Sequence, residues 1–212
     1  SPIEVGFLSK YPITNVSEIS PGKDYGLRNI LEITIDVDGN SLKLINNHWK
    51  SKLGSFSENL RIKSSLVLQN RLNELKNDEV IILGDFNENY NESTKVSYTT
   101  AITLKNKGDG LRISGSKDLG ENEYYTPWPY SGFEGSYLYK DNWETIDNFF
   151  LNRNLFDDSK FSYSSFRVDN RDLLFDSGSN ICKWRNDLEF GYSDHLPIIL
   201  EIVINKIETT LE

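Results

Sequence analysis

The chain has 212 residues, of which 37% are hydrophobic and 12% aromatic, so it can bury a substantial core and is not a disordered polypeptide. Its net charge of −9 disfavours tight, nonspecific adsorption to nucleic acid or anionic lipid, although a bound metal cation can reverse the field locally. The apolar runs fall short of the ~20 residues that cross a bilayer, so we expect no membrane span. The single cysteine, Cys182, leaves the redox compartment open.

The start of the chain suggests that part of the protein precedes it. The sequence contains no methionine, and its opening, SPIEVGFLSKYPI, is strand-like over residues 3–8 without a lead-in. We therefore expect Ser1 to follow a processing event, a cloning boundary or an upstream segment.

The first half of the chain predicts a hairpin followed by a helix. The stretch LRNILEITIDVDGNSLKLINNHW alternates apolar and polar residues on both sides of Asp38-Gly39-Asn40, which is typical of a β-hairpin. SFSENLRIKSSLVLQNRLNELKND predicts a helix, in which Ser55 and Glu58 have the spacing of a capping box. The apolar stripe of this helix consists of Leu60, Val67, Leu68, Leu72 and Leu75.

The second half predicts strands separated by loops. EVIILGDFN is an apolar run typical of a strand buried on both faces, whereas residues 89–135 are polar and aromatic-rich and predict loops. SYLYKDNWETIDNFFLN predicts a hairpin or strand pair, and LPIILEIVI the last core strand. A helix between strand pairs indicates an α/β layered sandwich. We expect one domain over residues 1–204 and a flexible tail over residues 205–212.

Two polar segments follow predicted strands in the first half, and each has an ordinary structural alternative. Asp85 and Asn87 come after the apolar run, and their two-residue spacing would put both side chains on one face. A carboxylate there can take a metal or a proton and an amide can hold phosphate or water, although both residues are also common in turns. His48 in NNHWKS ends another predicted strand, where a lone histidine is more often structural than catalytic.

Two further segments lie near the end of the chain. In SDHLP, Asp194 offers an oxygen ligand for a hard cation and His195 an imidazole that can bind phosphate or take a proton; a polar strand cap is the alternative. Asp147 lies within an apolar strand and needs a donor, because burying an unpaired carboxylate is costly. Pairing with a histidine would satisfy it, as would an edge position facing water. Both histidines of the chain fall within these four segments, which favours one shared site.

In this order, NNHWKS, ILGDFNE, GSYLYKDNWETIDNFFLN and YSDHLP resemble the endonuclease/exonuclease/phosphatase superfamily, whose fold is that of pancreatic deoxyribonuclease. The opening VGFLSKYPI is similar to a family segment as well, so the resemblance covers nearly the whole chain. It implies a mixed α/β (α+β) fold, a four-layer αββα sandwich with the site at one end of the paired sheets. It also implies a hydrolase that uses a divalent cation, Mg²⁺ or Mn²⁺.

The resemblance assigns a role to each candidate residue. Asp85 would position or deprotonate the attacking water, and Asn87 would hold that water and the phosphate. Asp147 would orient His195, whose imidazole would bind a phosphoryl oxygen as negative charge builds. His48 would donate to the phosphate from the other side.

The remaining candidates concern the metal and the substrate. Asp194 would contribute to the metal shell, directly or through water. Lys50 would supply a phosphate-binding patch beside the histidine of NNHWKS, or is only solvated. Trp128, in the aromatic loop YYTPWPYSGF, would stack on bases or dip into lipid headgroups if it is exposed, although such rings more often pack in cores.

The chain departs from the family at its start. Family members carry, upstream of the segment where this chain begins, a strand that ends in an Asn and a following Glu that is the principal metal ligand. Nothing in the 212 residues matches either. We therefore expect an N-terminal segment of the same protein, carrying that strand and helix region, as a partner in addition to a nucleic acid substrate.

Several functions stay open at this level. The leading hypothesis is a divalent-metal-dependent phosphodiester hydrolase, an endonuclease acting on DNA. Alternatives are a phospholipid phosphodiesterase similar to sphingomyelinases, a phosphomonoesterase, or a non-catalytic binding module on a truncated nuclease fold. The form NHWKSK is similar to that of bacterial, often exported family members, which favours an extracellular location.

Overall fold

The computed structural model of the protein describes residues 5–24, 26–104 and 110–205. Within these ranges one α-helix, α1 (Ser57–Glu74), accompanies twelve strands. The strands are β1 (Ile13–Ile19), β2 (Ile30–Val37), β3 (Asn40–His48), β4 (Val80–Asp85), β5 (Ile102–Leu104), β6 (Leu111–Ser114), β7 (Tyr124–Tyr125), β8 (Tyr137–Tyr139), β9 (Asn142–Glu144), β10 (Asp147–Leu151), β11 (Phe161–Val168) and β12 (Ile198–Ile204). No helix in the described part of the chain is long and apolar enough to cross a membrane.

Eight strands form one large mixed sheet in the order β1-β2-β3-β4-β10-β7-β6-β5. The predicted hairpin is confirmed: β2 and β3 pair antiparallel, and Asp38 and Gly39 take positive φ values of 53° and 84° in the turn. Helix α1 then carries the chain across one face of the sheet, so that β4 returns parallel to β3. On its other side β4 pairs antiparallel with β10.

Strand β4 lies in the middle of this sheet and is covered on both faces, as its apolar sequence predicted. Val80 and Ile82 pack on the side of α1, against Leu68 and Leu72 of the helix. Ile81 alternates with them and packs on the opposite side with residues of the small β11–β12 sheet. The central sheet is thus enclosed by a helix and a second sheet.

The predicted mixed α/β sandwich is confirmed. Three of its four expected layers, in the order helix, large sheet, small sheet, lie among the described residues. The helical layer expected outside the small sheet does not occur within the described ranges.

The start and the buried face of α1 differ from the prediction. The N-cap is Phe56, at φ 61° and without a side-chain capping bond, so the capping box proposed for Ser55 and Glu58 is wrong. Glu58 instead accepts a hydrogen bond from Arg61, which a helix places one turn further along the same face. Leu60 and Val67 are only half-buried, and polar residues share the buried face: Ser57, Arg61, Ser64 and Ser65.

Residues 89–135 are not the loops that we predicted. They contain β5, β6 and β7, which are only three, four and two residues long, too short for an alternating pattern to emerge. The strand β11 was missed, and β12, predicted as a core strand, pairs with β11 alone among the described strands. At the N-terminus, residues 5–8 form no strand, while residues 1–4 and most of the proposed tail, residues 206–212, lie outside the described residues.

Candidate active site

Three of the candidate side chains form one row across the centre of the large sheet. His48 is the last residue of β3, Asp85 the last of β4 and Asp147 the first of β10. In the pairing register His48 lies opposite Asp85, and Asp85 lies opposite Asp147. Because β3 and β4 are parallel and β10 is antiparallel to both, two strand ends and one strand start meet at the same edge of the sheet.

Gly84 allows the strands of this row to come close together. Its φ is +128°, and a Cβ built on it would lie 2.0 Å from the backbone oxygen of Asn47 in β3. No other residue can occupy this position without moving a backbone. The glycine of ILGDFN thus permits the close packing of β4 against β3 next to the row.

Asp147 and His195 are in direct hydrogen-bond contact. Oδ2 of Asp147 lies 2.7 Å from Nδ1 of His195, and the hydroxyl of Ser136 donates to the same oxygen at 2.6 Å. The backbone is tied in the same place, since the N–H of Leu196 donates to the carbonyl of Ser136 at 2.7 Å. The ring of Tyr137 lies 4.6 Å from the imidazole, centroid to centroid.

This environment favours the charged form of His195. Burial alone would lower the pKa of His195, but the hydrogen bond and the charge of Asp147, with further contributions from Asp85 and Asp194, outweigh it and raise the pKa. Because Nδ1 faces Asp147, the other ring nitrogen, Nε2, is left for a ligand.

Asp85 and Asn87 are brought together by a turn, whereas the sequence analysis predicted strand alternation. Asn87 has φ 50°, its N–H donates to Oδ1 of Asp85 at 2.8 Å, and its Nδ2 donates to Oδ2 of Asp85 at 3.2 Å. Burial and the charge of Asp147 raise the pKa of Asp85 to about 6. A carboxylate with this pKa is a stronger base than an exposed one and is still ionised at neutral pH.

His48 is the opposite of His195 in its electrostatics. Burial, followed by the charges of Arg28 and His195, lowers the pKa of His48 to about 4. Its Nε2 lies 3.6 Å from Oδ2 of Asp85, but at neutral pH this is a contact between a neutral imidazole and a carboxylate, and not an ion pair.

Arg28 is a site residue that the sequence analysis missed. Its Nη1 donates to the carbonyls of His48 at 3.2 Å and Trp49 at 3.1 Å, and its charge lowers the pKa of both His48 and Asp85. Its buried Nε has no hydrogen-bond partner in the described part of the protein. A single Arg before a strand carries no motif, so only the fold reveals its position.

Asp85, Asp147 and His195 also form a possible metal site. One ligand atom from each residue lies within 4.8 Å of the other two. The two carboxylates of the group fit a divalent cation: after burial, the charge of Asp147 contributes to the raised pKa of Asp85, and a cation between them would relieve that repulsion. Asp194, the metal ligand proposed from the sequence, is exposed and lies outside this group, so its role stays a prediction.

The two proposed substrate contacts have different outcomes. Trp128 is 3% exposed, packs edge-to-face on Phe166 and donates its indole N–H to the carbonyl of Asp147 at 2.9 Å. The proposal that Trp128 stacks on substrate is therefore wrong: the ring is part of the core and supports the site from behind. Lys50 is half-buried, and its role in phosphate binding stays a prediction.

A cavity of about 600 Å³ opens beside the paired histidine. Tyr137, whose ring contacts the imidazole of His195, and Asp194, its neighbour in the chain, both line the cavity. Its walls carry both charges and exposed apolar groups, among them Lys140, Lys183, Arg185, Leu188 and Phe190.

Comparison with known proteins places this arrangement in a family. The sequence matches the Endonuclease/Exonuclease/phosphatase family over residues 13–204. No curated protein sequence matches the chain.

Solved structures share the fold at low sequence identity. TDP2 from D. rerio complexed with single strand DNA product has 17% identity and a TM-score of 0.55, with 90% of this chain and 68% of that chain covered. A functionally unknown conserved protein from Enterococcus faecalis has 11% identity and a TM-score of 0.56 (92% and 68% covered). A mannosyl-6-phosphatase from Bacteroides thetaiotaomicron has 15% identity and a TM-score of 0.52 (92% and 68% covered). The chain therefore spans about two thirds of the length of these proteins, and it belongs to the Endonuclease/Exonuclease/phosphatase family.

Proposed function

We propose that the protein is a metal-dependent phosphodiester hydrolase that acts on nucleic acid, and specifically an endonuclease. The observation that carries this proposal is the Asp147–His195 pair, 2.7 Å apart, beside a carboxylate of raised pKa on the same strand row. A charged imidazole next to a base-competent carboxylate is what hydrolysis of a phosphoester needs: one group binds the developing negative charge, and the other activates water.

In this mechanism His195 presents Nε2 to a phosphoryl oxygen, and Asp147 holds the ring by its Nδ1. Asp85 accepts the proton of the attacking water, while the amide of Asn87 fixes the position of that carboxylate through Oδ2. His48 stays neutral at pH 7 because its pKa is about 4, and it donates its single N–H as an uncharged group. Arg28 supplies positive charge on the same side.

A divalent cation would be held by the carboxylates of Asp85 and Asp147, with Asp194 as a further ligand. When bound it would polarise a phosphoryl oxygen and stabilise the leaving oxygen. We propose Mg²⁺ or Mn²⁺, because oxygen donors of this kind suit hard cations. The prediction is direct: a chelator should abolish turnover, and Mg²⁺ should restore it.

Two observations bear on the substrate. The cavity beside His195 is within the range of about 300–1,000 Å³ that ligand sites occupy, and its Phe190 and Lys183 offer a ring and a cation, which bases and phosphates use. TDP2 of similar fold was solved with single strand DNA product, which supports nucleic acid. The mannosyl-6-phosphatase of similar fold favours a phosphomonoester as the second candidate.

We also propose that the active protein includes a further segment with the Asn and Glu that the family resemblance implies. The small sheet supports this, since β11 and β12 pair only with each other among the described strands and their outer edges stay free to receive another strand.

Nicking of supercoiled plasmid tests the proposal, with this chain and a longer form of the protein assayed side by side in Mg²⁺ and in chelator. We expect His195→Ala to reduce nicking by about 10²–10⁴-fold while the far-UV spectrum and the melting temperature stay those of wild type. Wild-type turnover by the folded variant would refute the assignment. If no plasmid is nicked, sphingomyelin and phosphomonoester substrates decide between the alternatives.

A further inference from the structure

A buried ion cluster lies directly behind the candidate site, and no step of the proposed mechanism uses it. It consists of Arg61 and Glu58 on α1 and Glu88, which follows β4. Arg61 is 2% exposed and Glu88 is fully buried. Burial, followed by the charge of Glu58, raises the pKa of Glu88 to about 8, so its charged form is held there at a cost. Buried ionisable groups often contribute nothing net to stability, so the pairing of Arg61 with Glu88 points to a geometric task.

The guanidinium of Arg61 connects three separate segments of the chain. Its Nη1 donates to the carbonyl of Lys50 at 3.1 Å, its Nε donates to Oε2 of Glu88 at 3.3 Å, and its Nη2 donates to Glu58 within the helix. Only a planar fork with several donors can reach all three acceptors at once, which a lysine cannot do.

Glu88 in turn fixes its own segment to the next strand. Its Oε1 accepts a hydrogen bond from the N–H of Ile102 at 2.6 Å, and its Oε2 accepts one from the N–H of Ala101 at 3.2 Å. The residue directly after Asn87 is therefore held by backbone donors on one side and by Arg61 on the other.

Both segments that Arg61 joins carry candidate site residues. Lys50 lies two residues after His48, and Glu88 is the neighbour of Asn87. Next to the site, Nδ2 of Asn87 donates to the carbonyl of Trp49 at 3.1 Å. The two segments are therefore also hydrogen-bonded to each other directly. The segment of Lys50 and the segment of Glu88 are thus joined twice: through Asn87 and Trp49 next to the site, and through Arg61 on the side of the helix. Together these hydrogen bonds form a closed ring.

From this ring we propose that Arg61, through Glu88, is the positioning residue that sets the distance between His48 and Asn87. Only the expected effect of Arg61 on kcat rests on the proposed function. The hydrogen bonds themselves do not depend on turnover. Without the guanidinium of Arg61, the segment after β3 and the turn after β4 lose the hydrogen-bond donor that they share.

Helix α1 supplies a matched control ten residues further on. Arg71 also makes a two-pronged ion pair with a fully buried glutamate, since its Nε and Nη2 each donate to Glu32 at 2.7 Å. This pair joins the helix to the middle of β2, about 15 Å along the helix from Arg61. Arg61→Lys and Arg71→Lys both keep the charge and remove the fork, but only the first touches the segments of the site.

Two readouts separate positioning from stability. In plasmid nicking we expect Arg61→Lys to lower kcat by about 10²-fold with little change in KM, because misplacement of the reacting groups costs rate more than affinity. Arg71→Lys should lower the melting temperature and leave kcat unchanged. The chain has only two histidines, so proton NMR of the imidazoles should show the His48 resonance displaced in Arg61→Lys and unchanged in Arg71→Lys.

Each outcome decides a different statement. Equal behaviour of the two lysine variants in both readouts would overturn the positioning role. If the wild-type protein hydrolyses no phosphoester but His48 moves in Arg61→Lys alone, the positioning role stands and the proposed function falls. If Arg61→Lys does not fold, Glu88→Gln takes its place. Its carbonyl still accepts from the N–H of Ile102, but its amide nitrogen cannot accept from Arg61 or from the N–H of Ala101. A wild-type His48 resonance and kcat in that variant would refute the proposal.

Discussion

At the scale of single residues, the two histidines of the protein lie near the same group of carboxylates, but their pKa values are shifted in opposite directions. Burial lowers the pKa of both, but only His195 has a carboxylate in hydrogen-bond contact to reverse the effect. One imidazole is therefore set to carry charge and the other to stay neutral. Titratable groups whose pKa values are pushed apart in this way mark acid and base assignments in hydrolytic sites.

Asp147→Asn tests the source of the charge on His195. The amide keeps the size of the side chain but removes the negative charge, so we expect the pKa of His195 to fall towards or below its ordinary value, and turnover to fall by about 10²–10⁴-fold. NMR titration of the imidazole measures the first effect without any substrate. Ser136→Ala is the control, because it removes a donor to the same oxygen and leaves the carboxylate in place; an unchanged His195 pKa in Asp147→Asn would contradict the argument.

The lowered pKa of His48 predicts how the folding stability of the protein depends on pH. Its pKa is about 4 in the folded protein and ordinarily 6.5, the value expected in the unfolded chain, so between these values the unfolded chain binds a proton that the folded protein does not. The contribution of His48 to folding stability should therefore fall as the pH drops from 6.5 to about 4. Asp85, whose pKa is raised to about 6, acts with the opposite sign in an overlapping range, since the folded protein there keeps a proton that the unfolded chain loses.

A difference measurement separates the two groups. Urea denaturation of wild type and His48→Gln, at several pH values in chelator, should give curves that diverge below pH 6.5, with the wild type losing stability relative to the variant. Parallel curves over this range would show that His48 titrates normally in the folded protein.

The sequence indicated the candidate residues but not their surroundings. The structure brings His48, Asp85, Asn87 and Asp147 together with His195, and each of them stood in a motif or at a predicted strand end. Arg28 stood in neither. The error over Trp128 has a physical cause, because an aromatic ring in a loop has the same local sequence whether it is exposed or covered by a strand such as β11, which the sequence did not reveal.

At the scale of the elements, Gly84 determines how closely β4 can lie beside β3. Gly84→Ala should destabilise the protein by more than about 3 kcal/mol, because the added methyl would meet the carbonyl oxygen of Asn47 and the residue would keep a strained positive φ. Gly39→Ala is the matched control: its φ is also positive, but its Cβ would meet nothing within 4 Å, and about 1 kcal/mol is expected. Chemical denaturation compares the two, and equal losses would refute the steric argument.

The elements that the sequence predicted well share a strong period. The β2–β3 hairpin has eight- and nine-residue strands around a turn with Gly, and β4 is a continuous apolar run. The position of helix α1 was predicted correctly in outline. Its apolar stripe was not, because Arg61 and Ser65 are buried with hydrogen-bond partners in distant segments. Local sequence cannot reveal a partner such as the carbonyl of Ala101, 36 residues away from Ser65.

At the scale of the whole molecule, the small sheet leaves apolar surface and strand edges open. Val203 and Ile204 at the end of β12 are 49% and 36% exposed, and β12 pairs only with β11 among the described strands. Open edges of this kind pair with other chains. We expect this chain alone to self-associate with rising concentration, and Val203→Lys to return it to a monomer in light-scattering measurements.

The comparison for that prediction is the longer protein. If a further segment covers the small sheet, the longer form should be monomeric without the substitution. Concentration-independent monomers of the present chain would contradict the exposed-edge argument, whereas association that Val203→Lys does not change would locate the contact elsewhere.

The row of His48, Asp85 and Asp147 on neighbouring strands has a consequence for how such a protein can change over evolutionary time. Side chains alternate along a strand, so inserting one residue into β4 would turn Asp85 to the opposite face and separate it from His48 and Asp147. Insertions in segments outside the strands of the large sheet, such as residues 115–123 or 176–194, leave its hydrogen-bonded ladder intact. The row of candidate residues is thus inherited with the sheet as a unit, whereas the loops around it can change in length and sequence.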